Sequence, residues 1–143
     1  MTEVEPIHTE PEREAEMPYA PAVEIREPST LLFLSGATAS PLYHAHPHIP
    51  EEHVQPHDIG EQTRRALASI KSVLDQRGMT WRNVVKITYY LTDMREAPEM
   101  HVVVREAFGD WRPASTMVCI NSLSSPGARI ELDMIAVGPL EGA

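Results

Sequence analysis

The sequence predicts one α+β domain whose elements follow the order β-β-α-β-α-β-β, with both helices on one face of a mixed sheet. Three observations predict it. The 143 residues suffice for one domain of ordinary size and leave no room for two. Two stretches repeat apolar residues at helical spacing, and the stretches around them alternate or run apolar over strand length. Nine of the 13 prolines stand before residue 57, which keeps helices out of the first third.

Taken in order, residues 1–27 hold eight acids against two bases and supply −6 of the net charge of −9. With only Met1, Val4, Ile7 and Ala15 as apolar side chains, residues 1–16 read as a mobile acidic tail ahead of a single domain over 17–143. Short strands are expected at 22–26 and 31–36, paired across the turn-like Pro28-Ser29-Thr30. Leu31-Leu32-Phe33-Leu34 is apolar without a break, the mark of a strand buried on both faces. The Pro- and His-rich stretch 40–57 reads as an irregular loop. Ile59, Thr63, Ala66, Leu67, Ile70, Val73 and Leu74 then recur at helical spacing. Asp58 is placed to cap that helix, and Gly78 to take the left-handed position past its end.

The β-branched and aromatic run 84–92 is a strand. A second helix over 96–108 aligns Met100, Val103, Val104, Ala107 and Phe108, tolerates Pro98 in its first turn and stops at Gly109. Strands at 115–121 and 129–137 close the domain. Two helices cover one sheet face only, yet the strands at 84–92, 115–121 and 129–137 carry apolar residues on both. Another subunit is therefore expected on the second face.

Charge and cysteine usage exclude whole classes of function. A net charge of −9 argues against nucleic acid and anionic membrane as partners, because phosphate binding needs a basic footprint. Cys119 is the single cysteine, so an intrachain disulfide is impossible; its strand setting predicts a buried structural thiol. The chain has neither a long apolar run nor the basic start of a signal peptide, and a cytoplasmic protein is the expectation.

Several motifs, in order and at consistent spacing, resemble the RidA (YjgF) family. They are Pro18-Tyr19, Ser35-Gly36, Gln62-Thr63, Val84-Val85-Lys86, Tyr90-Leu91-Thr92-Asp93-Met94, Pro113-Ala114 and the run from Ile130 through Val137. The resemblance implies a chorismate-mutase-like α+β fold assembled as a homotrimer, with clefts between subunits that hydrolyse small imines and enamines to 2-oxo acids and ammonia. It implies no cofactor and no metal. Ribonuclease activity has also been ascribed to the family, against which the acidic balance argues. Residue by residue, Tyr19, Ser35 and Gly36 match positions that line the family cleft. Asp133 stands where a water-positioning glutamate is expected. Directly after Pro113-Ala114 the family places an arginine that clamps the substrate carboxylate, and here that position is Ser115. A hydroxyl offers one neutral donor where guanidinium offers a bidentate, charged fork, a loss of about 2–3 kcal/mol. Asp133 and Ser115 are thus the candidate catalytic residues, with Tyr19, Ser35, Gly36, Trp111 and Arg112 as candidate binding residues. The same pattern leaves open a trimer that binds a small metabolite or a partner without turning it over.

Five of the seven histidines fall within 44–57. In an extended segment His44, His46 and His48 point to one side, a spacing from which imidazoles can converge on Zn²⁺, Ni²⁺ or Fe²⁺. A solvated polar loop, and a histidine standing in for the missing arginine, fit the same residues.

Overall fold

The structure, a computed structural model, describes residues 1–140, so the end of the domain expected over 17–143 lies outside the described residues. Among the described residues six strands form: β1 (Glu3–Ile7), β2 (Ala22–Arg26), β3 (Thr30–Phe33), β4 (Val84–Leu91), β5 (Ala114–Cys119) and β6 (Ile130–Gly138). Two α-helices, α1 (Ile59–Asp75) and α2 (Ala97–Phe108), stand on one side of a four-stranded sheet of order β3-β6-β4-β5. Both neighbours of β6 run antiparallel to it, and β5 runs parallel to β4. Among the described residues no helix is long and apolar enough to cross a membrane.

Local chemistry accounts for the helices. The Asp58 carboxylate accepts from the Glu61 amide at 2.9 Å and caps α1. Gly78 and Gly109 take φ of +63° and +62° where the chain leaves each helix, a conformation that costs a residue with a Cβ. The apolar stripes of α1 and α2 meet the sheet face formed by Ile87, Tyr89 and Leu91 of β4 with Ile130, Leu132, Met134 and Ala136 of β6. Polar groups buried in this core are used. Gln62, fully buried, donates to the Pro56 and Gly127 carbonyls at 2.8 and 3.2 Å and accepts from the Arg129 amide at 2.9 Å. It thereby ties the end of the His-rich loop to the entry of β6.

Four expectations are corrected. Residues 1–16 contain strand β1, paired antiparallel with β2, and a 3-10 turn at Pro11–Glu16. Val4 turns inward to the core while Glu3 and Glu5 turn out, where Arg26 gathers Glu3, Glu5 and Glu24 at 2.9, 3.1 and 2.6 Å. One cation across three carboxylates and the inward Val4 supply the cohesion that the small number of apolar side chains in the segment did not lead one to expect. Second, β2 and β3 do not pair. Glu27 adopts φ +53° between them and redirects the chain, so β2 joins β1 while β3 joins β6. Third, β3 is buried on one side only: Leu31 is 54% and Phe33 72% exposed. Fourth, Cys119 is exposed at the end of edge strand β5.

Replacing Gln62 with Leu strands three backbone groups without partners and is expected to cost about 2–3 kcal/mol. The midpoint of urea unfolding, at unchanged slope, measures it.

Candidate functional site

Past β3 the chain keeps company with β6, through reciprocal backbone bonds between Ala37 and Leu132 at 2.9 Å. This brings Gly36 over Glu131. The Glu131 carboxyl carbon and Oε2 lie 2.9 Å from where a Cβ on residue 36 would sit, so glycine is what lets the carboxylate stand there. Glu131 is half-buried. Burial, and then the Asp133 charge, push its pKa above the ordinary carboxylate value near 4.5. The sequence expectation placed the water-positioning carboxylate at Asp133. The structure sets Glu131 against Gly36 instead and leaves Asp133 two residues along β6, on the same face and in register with Thr88. The two acids share one face, and it is Glu131 that lies against the Gly36 backbone.

The cavity beside Glu131, about 130 Å³, is also lined by Ser40, His44, His48 and His53. The histidines form a packed group. Ring centroids lie 4.8 Å apart for His44–His46, 4.9 Å for His44–His48 and 5.0 Å for His46–His48. His53, which spacing had not singled out, packs 4.5 Å from both His44 and His48. His44 Nδ1 lies 2.8 Å from the Pro41 carbonyl, and His53 Nδ1 lies 2.9 Å from Ser40 Oγ. Partial loss of water, and then the neighbouring imidazoles, hold His48 below its ordinary pKa near 6.5. His57 stands apart from the group, its carbonyl taken by Arg129 at 2.6 Å.

The remaining candidates gather at the other edge of the sheet. Tyr19, 40% exposed, lines a surface cleft with Trp111 and Arg112. Trp111 is a core residue whose indole N–H donates to the Val84 carbonyl at 2.8 Å, so only its rim reaches the cleft. Arg112 donates through Nη1 to the carbonyls of Gly109 and Trp111, which closes the turn after α2. Ser115 pairs in register with Ile87 and so faces the helices, whereas Asp133 pairs with Thr88 and faces the open side. The two expected catalytic residues are therefore not brought together within one chain. Ser35 is exposed beside Gly36. With β3 and β5 as opposite edges, the Gly36 and Ser115 groups lie three strand spacings apart, about 14 Å.

Known proteins resemble this chain over most of its length. A family profile described as "Endoribonuclease L-PSP" matches residues 9–138. A "RutC family protein" of Pyrococcus abyssi is 38% identical over 79 residues, which is 55% of this chain and 61% of that relative. The chain thus spans about six-tenths of that relative's length. A "2-iminobutanoate/2-iminopropanoate deaminase" of Bos taurus is 33% identical over 62% of this chain and 64% of its own. The crystal structure of a YjgF-family member from Mycobacterium tuberculosis superposes with a TM-score of 0.61 at 29% identity, covering 95% of this chain and all of its own.

Because Glu131 has a raised pKa in the folded state, its protonated form stabilises the fold below the ordinary carboxylate value. That contribution is lost as pH rises through the folded value. Glu131→Gln, which cannot ionise, is expected to gain stability over the wild type on going from pH 4 to pH 7. Denaturant midpoints at the two pH values measure it; a difference that stays constant contradicts the assignment.

Proposed function

Since the chain belongs to the RidA (YjgF) family, also described as endoribonuclease L-PSP, we propose that it hydrolyses a small imine or enamine to a carbonyl compound and ammonia, in clefts formed between copies of the chain. One observation carries this reading: a half-buried carboxylate, Glu131, held against the exposed backbone of Gly36, with its pKa raised above the ordinary carboxylate value by burial and the Asp133 charge. As carboxylate it takes a proton from water while the water oxygen adds to the C=N carbon. It then returns that proton to nitrogen, giving a carbinolamine; the same carboxylate next carries the carbinolamine hydroxyl proton to the amine, so the C–N bond breaks as C=O forms, and ammonia leaves. An enamine enters the same sequence after protonation on carbon. Such proton transfer is worth about 10²- to 10⁴-fold in rate. The bovine relative's name supports the reaction class.

Charge recognition decides the substrate class. Ser115 is neutral and Arg112 spends Nη1 on two backbone carbonyls, so the position directly after Pro113-Ala114 offers no guanidinium to fork onto an α-carboxylate. An imine without that carboxylate fits the site better. The net charge of −9 disfavours RNA as substrate and phosphate surfaces as partners.

Assembly completes the pocket in this reading. Leu31 and Phe33 stand exposed on edge strand β3, beside the open sheet face. In a homotrimer, the β5 edge of one copy, with Tyr19, Trp111 and Ser115, approaches the Gly36–Glu131 corner of the next. The neutral Ser115 also favours a second reading, in which the same clefts bind a small metabolite or a protein partner without turnover.

Ammonia release from a panel of imines, with and without an α-carboxylate, tests the proposal. Turnover is expected for members lacking the carboxylate, with kcat lowered about 10²-fold or more in Glu131→Gln. Ser115→Arg is expected to shift preference toward 2-iminopropanoate by about 30- to 150-fold, the equivalent of 2–3 kcal/mol. No turnover across the panel, together with ligand-induced thermal stabilisation, selects the binding reading. Light scattering is expected to return three times the 16.0 kDa chain mass, and a particle of single-chain mass overturns the shared cleft.

A further inference from the structure

We propose that His44, His46 and His48 form a binding site for a divalent first-row transition metal, Zn²⁺ in the first place, with the buried His53 behind them as a fourth imidazole. One ring nitrogen from each of the three lies within 4.8 Å of the others. Tetrahedral zinc with Zn–N of about 2.0–2.1 Å needs nitrogens about 3.4 Å apart. The difference is about an ångström and a half, within reach of side-chain rotation because His46 and His48 are exposed.

Hydrogen bonds prepare the rings for a cation. A carbonyl can only accept, so the 2.8 Å contact to Pro41 O puts the proton of His44 on Nδ1 and leaves the Nε2 lone pair free. His53 is 6% exposed and its Nε2 has no partner. Its Nδ1 reaches Ser40 Oγ, which accepts from Gln55 Nε2 at 2.9 Å and lies 3.1 Å from Ser125 Oγ. With the single Ser40 proton directed to Ser125, Nδ1 of His53 donates to Ser40 and Nε2 keeps a lone pair. A buried, unused imidazole nitrogen costs stability unless something occupies it. Hydrogen-bonded Nδ1–H with a free Nε2 is the arrangement that outer partners impose on metal-bound histidine.

The loop is braced as well. Glu52 accepts from the Ala45 amide at 2.9 Å, between the first two ligands, and adds negative charge nearby. Imidazole nitrogens suit zinc, nickel or copper, and not the hard cations magnesium and calcium. With His53 bound as well the tetrahedral shell is closed; with the three loop histidines alone the fourth position falls to water, on the side of the cavity that Glu131 shares.

Full-length protein without a purification tag, titrated with Zn²⁺ against a chromophoric chelator, tests the site. One zinc per chain with sub-micromolar affinity is expected, and X-ray absorption of the loaded protein is expected to show three or four nitrogen scatterers, at least three of them imidazole. The double variant His44→Ala/His46→Ala is expected to weaken binding at least 100-fold, while His57→Ala, in the same loop but outside the group, leaves it unchanged. Uptake well below one per chain, equal affinity in the double variant, or an oxygen-dominated shell overturns the proposal. The absorption measurement uses unaltered protein, so it decides even if the double variant does not fold.

Discussion

The pleat of β6 holds core and chemistry on one strand. Ile130, Leu132, Met134 and Ala136 face the helices, and Glu131 and Asp133 face the other way. Both sets are correct in only one register, in which Leu132 meets Tyr89 and Glu131 meets Tyr90 across β4. A slip by one residue would drive two carboxylates into the apolar layer, so the burial that stabilises the fold also aims Glu131 at Gly36. Gly36 needs no separate device to find its place. Its position follows from the bonds by which the chain after β3 continues along β6.

The parts of the molecule legible in the sequence are those that a local pattern encodes. Both helices, their caps and the strands β4 and β6 follow from period and punctuation within a single stretch. What escaped depends on partners distant in sequence. The acids of β1 hide an alternation that becomes a strand only when Arg26 stands opposite Glu3. The turn at Glu27 sends two adjacent strands to different sheets, against the usual preference of neighbours to pair.

The site divides in the same way. Spacing marked His44, His46 and His48 as able to converge, but the orphaned nitrogen of His53 appears only once Ser40, Gln55 and Ser125 are placed around it. Alternation along each strand was readable for Ser115 and for Asp133 separately. Their relative orientation was not, because β4 lies between β5 and β6 and sets both registers.

The ribbon of β1 and β2 is joined by a different kind of cohesion from the rest. Its outward side is held by one guanidinium among three exposed carboxylates, attractions that dissolved ions weaken within a Debye length of about 8–10 Å. The helix-backed layer, bound by apolar burial, is indifferent to such ions or slightly strengthened by them. Tyr19 sits on the excursion between the two ribbon strands. The lip of one cleft is thus answerable to the electrolyte around it, while its floor belongs to the insulated interior.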